Sequence, residues 1–95
     1  MWISANYMIN NVIMKYIDAK LLVFGEIKSN DICQLIGCSR VKASQLFQVY
    51  LKERPTNMKY VPAKKCYVKG FVFEPVFLKE DSPRVFLDAI ELVFN

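Results

Sequence analysis

A chain of 95 residues fits a single domain, and 54% of its residues are hydrophobic, a high share for so short a soluble protein. No apolar run approaches the ~20 residues of a membrane-spanning helix, and the first six residues lack the basic leader of a secretory signal. We therefore expect a cytoplasmic protein that does not contact a membrane. Three irregularly spaced cysteines and the lack of histidine favour neither a disulfide framework nor a metal site.

The net charge of +4 is unevenly distributed along the chain. Residues 38–70 contain eight of the thirteen basic residues but only one of the nine acidic residues. Such a concentration of positive charge is typical of a surface that meets nucleic-acid phosphates. An ordinary solvated, lysine-rich face would have the same composition, so charge alone leaves both interpretations open.

The first predicted element is a helix from about Ser4 to Phe24, because apolar residues recur there at helical spacing. Asn10 and Asn11 leave open a break within it, and Gly25 ends it. A short second helix follows, with Ser29 or Asn30 as its cap, Asp31 in its first turn and Gly37 at its end; its inward-facing residues are Ile32, Cys33, Leu35 and Ile36.

The third predicted helix runs from about Arg40 to Arg54, with Ser39 as its cap and Pro55 beyond its end. One face of this helix is apolar and consists of Ala43, Leu46, Phe47, Tyr50 and Leu51.

The part of the chain after Pro55 is predicted to form a hairpin, an extended segment and a last helix. The hairpin strands are 58–61 and 66–68, joined by residues 62–65. Alternating apolar residues from Phe71 through Phe73 to Phe77 predict an extended segment on the core. Ser82 and Pro83 are a cap and a first helical residue, and they predict the start of the final helix.

Residues 29–54 have the spacing of a helix-turn-helix. Cys33 supplies the small residue that two crossing helices need, and Gly37 suits a sharp turn with positive φ. A basic hairpin follows directly. The predicted fold is therefore mainly α with a small β-hairpin: a winged helix-turn-helix (helix-turn-helix about 29–54, wing about 58–68) with flanking N- and C-terminal helices, all in one domain over residues 1–95.

The solvent side of the third helix carries residue types that read DNA bases, since arginine can bond guanine bidentately and glutamine can bond adenine. The hairpin turn adds two lysines that can contact the backbone or the minor groove as a wing. Taken singly, each of these residues also fits a solvated surface. The predicted DNA-binding residues are Ser39, Arg40, Lys42, Ser44, Gln45, Gln48, Lys64 and Lys65.

The final helix, about 83–95, is apolar over most of its circumference, and its polar residues form one narrow stripe. Such a helix needs burial on more than one side, which favours a homodimer, although full burial within one chain remains the alternative. A two-fold dimer would suit a palindromic site on DNA. The predicted dimer-interface residues are Trp2, Tyr7, Phe86, Ile90, Val93 and Phe94.

Residues 16–77 resemble the amino-terminal winged-helix domain of the CapW/BrxR group of WYL-domain transcription regulators, found beside bacterial defence systems against phages and mobile elements. The resemblance rests on short strings, namely Gly25-x-Ile27, Ile36-Gly37-Cys38-Ser39-Arg40, Ala43-Ser44, Phe47, Tyr50, Pro55-x-Asn57-Met58-Lys59-Tyr60, Lys65-x-Tyr67-Val68 and Phe73-x-Pro75-x-Phe77. It implies operator binding as a symmetric dimer, usually to repress, with the third helix in the major groove.

The chain departs from that group at three positions of the third helix. Val41 stands where the group often has proline, Lys42 where it often has glutamine, and Leu46 where it often has aspartate. Base preference therefore cannot be transferred. The ligand-sensing WYL domain is missing from this sequence, which corresponds to a DNA-binding half standing alone or to part of a longer chain.

The leading hypothesis is a homodimeric, sequence-specific regulator of transcription that binds double-stranded DNA and needs neither a cofactor nor a small-molecule ligand. One alternative is an interaction module that pairs with a longer WYL-type regulator and antagonises it. Another is an architectural or excision factor of a mobile element, which would bend DNA strongly. We expect no enzymatic activity, because the sequence lacks histidine and a phosphate-binding loop.

Overall fold

The computed structural model describes residues 5–74 and 82–94. Within these residues, four helices and three strands follow one another in the order α1 (Ala5–Phe24), β1 (Glu26–Ile27), α2 (Ser29–Ile36), α3 (Arg40–Glu53), β2 (Met58–Val61), β3 (Cys66–Lys69) and α4 (Pro83–Phe94). The predicted class is confirmed: the protein is mainly helical, with a helix-turn-helix, a hairpin wing and a helix on either side. None of the described helices combines the length and hydropathy needed to cross a membrane.

Helix α1 continues through Asn10 and Asn11, so the break left open there does not occur. It ends where Gly25 adopts a left-handed conformation (φ +78°) and donates its N–H to the Leu21 carbonyl at 3.0 Å. Ile13, Ile17 and Leu21 recur at four-residue spacing and are completely buried. They form the centre of the core on which the other helices pack.

The start of α2 differs by one position from the prediction. Its cap is Lys28 rather than Ser29 or Asn30. Asp31 lies in the first turn, as predicted, and its carboxylate accepts the Lys28 N–H at 3.0 Å. A carboxylate three residues into a helix can satisfy the backbone of any cap residue, which explains why a lysine serves here.

The turn between α2 and α3 follows the prediction. Gly37 has φ +68° and donates its N–H to the Cys33 carbonyl at 2.8 Å. Cys33 and Cys38 are half-buried against the core on either side of this glycine. The Ser39 hydroxyl then accepts the Lys42 N–H at 3.2 Å and begins α3.

Helix α3 turns its predicted apolar face inward. Ala43, Leu46, Phe47 and Tyr50 are at most 1% exposed, and Leu51 is half-buried. Burying a large apolar side chain contributes about 1.5–3 kcal/mol. Burial of the apolar face therefore orients α3 so that its opposite, polar face points towards solvent.

The sheet contains one strand more than the predicted hairpin. Its order is β1-β3-β2 and all neighbours are antiparallel. Strand β1 pairs Ile27 with Tyr67, and the hairpin pairs Val61 with Cys66. Two residues are too few to produce an alternating pattern, so β1 cannot be predicted from sequence periodicity.

The prediction for the segment after β3 is wrong at Phe71. Phe71 is fully exposed, whereas Phe73 is half-buried on the core, and Phe77 lies outside the described residues. Strand β3 ends at Lys69 and the chain bends at Phe71 and the next residue, so the two-residue alternation no longer places both side chains on one face.

Helix α4 packs mainly on α1. Leu87 and Ile90 are 4% and 8% exposed and belong to the core of the protomer, and Phe86 is half-buried against it. Two of the residues predicted for a dimer interface therefore face their own chain. Trp2 lies outside the described residues, as do the side chains of Tyr7, Val93 and Phe94.

Candidate nucleic-acid interface

The exposed face of α3 carries every residue that the sequence predicts for it. Arg40, Ser44 and Gln48 follow one another at four-residue spacing along this face. Lys42 and Gln45 are exposed beside them. This face therefore presents donors and acceptors of the kind that contact base edges in the major groove.

Ser39 is exposed at the start of α3, but its hydroxyl oxygen is already occupied as the cap. Its hydroxyl hydrogen can still be donated. The first backbone N–H groups of a helix favour a phosphate oxygen near this end. Ser39 therefore keeps one hydroxyl hydrogen free to be donated while it caps the helix.

The wing turn projects two exposed lysines, as predicted. The Lys64 N–H donates to the Val61 carbonyl at 3.1 Å, and the Lys65 N–H donates to the Pro62 carbonyl at 3.2 Å. Lys65 has φ +55°, the left-handed region that a residue with a Cβ rarely adopts. The two turn hydrogen bonds hold this conformation and fix the direction in which the wing points.

A cleft of about 350 Å³ separates α3 from the wing. It brings together two predicted residues of α3, Arg40 and Ser44, with Lys65 of the wing. The other predicted residues do not line it. The remaining lining residues are Lys28, Ser29, Phe47, Tyr60, Cys66 and Tyr67.

Four of these lining residues carry polar groups that the sequence reasoning did not assign to the interface: Lys28, Ser29, Tyr60 and Tyr67. The sequence predicts Ser29 as a possible helix cap, assigns Lys28 no role, and places the two tyrosines in the hairpin strands and in the strings that resemble the family. Their proximity to α3 arises from tertiary packing, and no local sequence signal indicates it. They extend the candidate interface from α3 and the wing to the start of α2.

Three aromatic rings connect α3 to the wing. The Phe47 and Tyr67 ring centroids are 4.7 Å apart, and those of Tyr67 and Tyr60 are 5.1 Å apart with an edge-to-face orientation. Burial, and secondarily the neighbouring Tyr60, raise the pKa of Tyr67, so its hydroxyl stays neutral. Tilted and edge-to-face ring contacts of this kind stabilise the packing of α3 against the two wing strands.

The cleft is positively charged because three of its lining residues are cations, Lys28, Arg40 and Lys65, and no lining residue is acidic. The ion pairs found among the described residues, Arg54–Glu74 and Arg84–Asp88, lie elsewhere. A cleft lined by three cations attracts anions such as phosphate.

The cysteines have no arrangement that supports chemistry at this site. Cys66 is buried and donates its thiol to the Glu26 carboxylate at 3.1 Å; burial, and secondarily Glu26, raise its pKa. Burial, followed by the neighbouring Cys33, also raises the pKa of Cys38. Both thiols are held in their unreactive protonated form. Among the described residues, no three ligand-type side chains could hold a metal ion.

Comparison with known proteins agrees with this geometry. Residues 10–90 match the family described as the BrxR transcriptional regulator winged helix-turn-helix domain. Comparison with curated proteins found no match. The matched region contains α2, α3, the wing and the whole cationic cleft. The chain therefore belongs to the BrxR winged helix-turn-helix family, a family of DNA-binding domains of transcriptional regulators.

Proposed function

We propose that this domain is a sequence-specific repressor that acts in the cytoplasm as a homodimer on a palindromic operator. The observation that supports it best is the continuity between the exposed polar face of α3 and the cationic cleft beside the wing. The two surfaces meet at Arg40 and Ser44, which belong to both. Such a surface can contact base edges and backbone phosphates at the same time.

In this proposal α3 lies in the major groove. Arg40, Gln45 and Gln48 contact base edges, because their side chains offer the donor and acceptor pairs that distinguish bases. A phosphate of the adjacent backbone enters the cleft, and Lys64 and Lys65 at the wing tip contact backbone or minor groove. The remaining predicted contacts, Ser39, Lys42 and Ser44, lie at the first turns of α3 and bind phosphate or base.

The proposed dimer forms through α4, but through a different face from the one that contains Ile90. Val85 and Leu92 are 67% and 84% exposed, and Ala89 between them is also exposed. These three residues recur at helical spacing and form one apolar stripe on the side of α4 away from the core. A dimer that binds a palindromic site must present its two α3 helices to half-sites one turn of DNA apart, ~34–36 Å.

Selection of bound sequences from a random DNA pool tests the proposal. We expect a palindromic motif to be enriched, and no enrichment would contradict it. Arg40→Ala and Gln45→Ala should each cost about 1–3 kcal/mol on the selected duplex and much less on random DNA. Arg84→Ala, which also removes one exposed positive charge but lies on α4, is the matched control and should change neither affinity.

A second candidate function is suggested by the exposed apolar residues Phe71, Val72, Val85 and Leu92. Large exposed apolar side chains can mark a protein-binding surface. The domain would then be an interaction module that pairs with a longer regulator of the same family. In that case Lys64→Ala/Lys65→Ala should be harmless to function, whereas the repressor proposal requires weaker DNA binding.

A further inference from the structure

Three polar side chains form a hydrogen-bonded hub inside the apolar core. Asp18 of α1, Tyr50 of α3 and Asn57 of the loop between α3 and β2 are all 0% exposed. The Tyr50 hydroxyl donates to the Asp18 carboxylate and accepts a hydrogen bond from Asn57 Nδ2 at 3.1 Å. The hub therefore connects α1, the C-terminal half of α3 and the loop that leads to the wing.

The hub also holds the segment by which the chain leaves the wing, Gly70–Glu74, which we call the exit strap. Asn57 Nδ2 donates to the Glu74 carbonyl at 2.6 Å, and Asn57 Oδ1 accepts the Glu74 N–H at 3.0 Å. Both hydrogens of the Asn57 amide and its oxygen are thus used. No other orientation of the amide group satisfies the same partners.

The other end of the exit strap is held by the same loop. The Gly70 N–H donates to the Asn57 carbonyl at 2.9 Å. A Cβ at Gly70 would lie 2.0 Å from the Thr56 carbonyl oxygen, so only glycine fits this approach. The side chain and the backbone of Asn57 therefore fasten both ends of the strap to the end of α3.

The partners of the hub depend on one another. Burial, and then the hydrogen bond to Asp18, raise the pKa of Tyr50, so its hydroxyl remains neutral and can donate and accept at once. No buried polar side-chain atom among the described residues lacks a partner. Removing the Tyr50 hydroxyl would take the acceptor from a buried Asn57 N–H and one donor from the Asp18 carboxylate, which is much less favourable than the loss of one solvated hydrogen bond.

We propose that Tyr50 and Asn57 are positioning residues that couple the exit strap to DNA binding. Opening the strap removes both Glu74 partners from the Asn57 amide, so that the amide no longer holds the Tyr50 hydroxyl in one position and the C-terminal half of α3 can shift relative to α1. Because coupling between two equilibria is reciprocal, bound DNA should then hold the strap closed by the same factor. This inference rests on the proposed DNA-binding function and identifies the strap, which leads to α4, as the place where a signal would reach α3.

Amide hydrogen exchange tests this coupling. The probe is the duplex enriched from the random pool or, if none is enriched, a mixed-sequence duplex at low salt. DNA should slow exchange of the Glu74 amide about tenfold, although Glu74 lies outside the interface. The amides of Lys42 and Lys65 report DNA binding itself. No protection at these two positions would overturn the proposed function and, with it, the coupling.

Variants separate coupling from stability. Asn57→Ala should weaken DNA binding about tenfold, the same factor by which DNA slows Glu74 exchange. Tyr50→Phe keeps the ring, and its Glu74 amide should no longer respond to DNA. Glu74→Gln removes the exposed ion pair with Arg54 but keeps the backbone of residue 74, so affinity and the exchange response should stay as in the wild type.

Ile17→Val, a core change in α1 outside the hub, controls for loss of stability. This variant should have a lower melting temperature than the wild type. At a temperature where the variant is still folded, its DNA affinity should equal that of the wild type. Protection at Lys42 and Lys65 with unchanged exchange at Glu74 would overturn the coupling alone. So would a folded Asn57→Ala variant with wild-type affinity. If Asn57→Ala does not fold, the Glu74 response in Tyr50→Phe decides.

Discussion

Lys65 offers a test that separates backbone strain from charge, because Lys65→Gly and Lys64→Gly should differ in stability but lose the same amount of DNA binding. Its φ of +55° places a residue with a Cβ in the left-handed region, at a turn where two backbone hydrogen bonds hold it. This conformation costs a residue with a side chain about 1 kcal/mol, whereas glycine adopts it freely. Lys65→Gly removes that cost, and it also removes one positive charge from the cleft.

Lys64→Gly is the matched control, because Lys64 precedes Lys65 in the same turn and does not have a positive φ. Both variants lose one lysine, and both gain about the same backbone entropy in the unfolded chain. The difference between the free energies of unfolding of the two variants therefore contains only the cost of the left-handed conformation at residue 65. Lys65→Gly should therefore be about 1 kcal/mol more stable than Lys64→Gly, or about 4–8 °C in melting temperature for a domain of this size.

Thermal unfolding followed by circular dichroism measures the stability difference, and fluorescence anisotropy at several salt concentrations measures DNA binding. If each lysine contacts one phosphate, the slope of log affinity against log salt should fall by about 0.9 in each variant. Equal melting temperatures would refute the backbone argument. Unchanged salt slopes would refute the placement of the wing on DNA. The two results are independent of each other.

Three further predictions concern the fold and the assembly. Gly70→Ala should destabilise the domain by about 2–3 kcal/mol in urea titration, because its Cβ would lie 2.0 Å from the Thr56 carbonyl oxygen. The control is Gly37→Ala, which should cost only about 1 kcal/mol, because Gly37 has φ +68° but open space around it. The contribution of Tyr50 to the free energy of unfolding should be lost above pH 10: native Tyr50 has a raised pKa and keeps its proton there, while the unfolded chain loses it, so this contribution is complete below pH 10 and is lost at higher pH. Tyr50→Phe should reduce the alkaline decline in stability but not abolish it, since the pKa of Tyr67 is raised too and the raised pKa values of Cys38 and Cys66 start the decline at lower pH, near the ordinary thiol value of 9.0. Leu92→Lys should give a folded monomer in analytical ultracentrifugation, whereas Ile90→Lys should unfold the protomer; a Leu92→Lys variant of unchanged mass would contradict an α4 interface.

The parts of the fold that follow from neighbouring residues could be predicted from the sequence. Gly37 and Ser39 end and begin helices through their own backbone and hydroxyl, so the turn between α2 and α3 is a local property. The hairpin is likewise local, since Val61 pairs with Cys66 across a turn of four residues. The polar face of α3 follows from periodicity once its apolar face is recognised.

The parts that depend on distant contacts could not be predicted. Strand β1 exists only because β3 lies beside it, and Lys28 reaches the cleft because it directly follows β1 in the chain. Asp18 and Tyr50 are 32 residues apart, and nothing in either neighbourhood indicates that they form a hydrogen bond. The contact of Gly70 with the loop after α3, through its N–H to the Asn57 carbonyl, is likewise invisible in the apolar alternation that predicted a buried Phe71.

Strand β1 has a consequence for how the wing can change during evolution. By pairing Glu26 with Val68 and Ile27 with Tyr67, it attaches the middle of β3 to the chain between α1 and α2. Insertions in the turn, residues 62–65, would then lengthen the reach of the wing along the backbone without detaching β3 from β1. The length of the wing and the base-contacting residues of α3 can therefore diversify separately, so related proteins can acquire new operators by changing one while keeping the other.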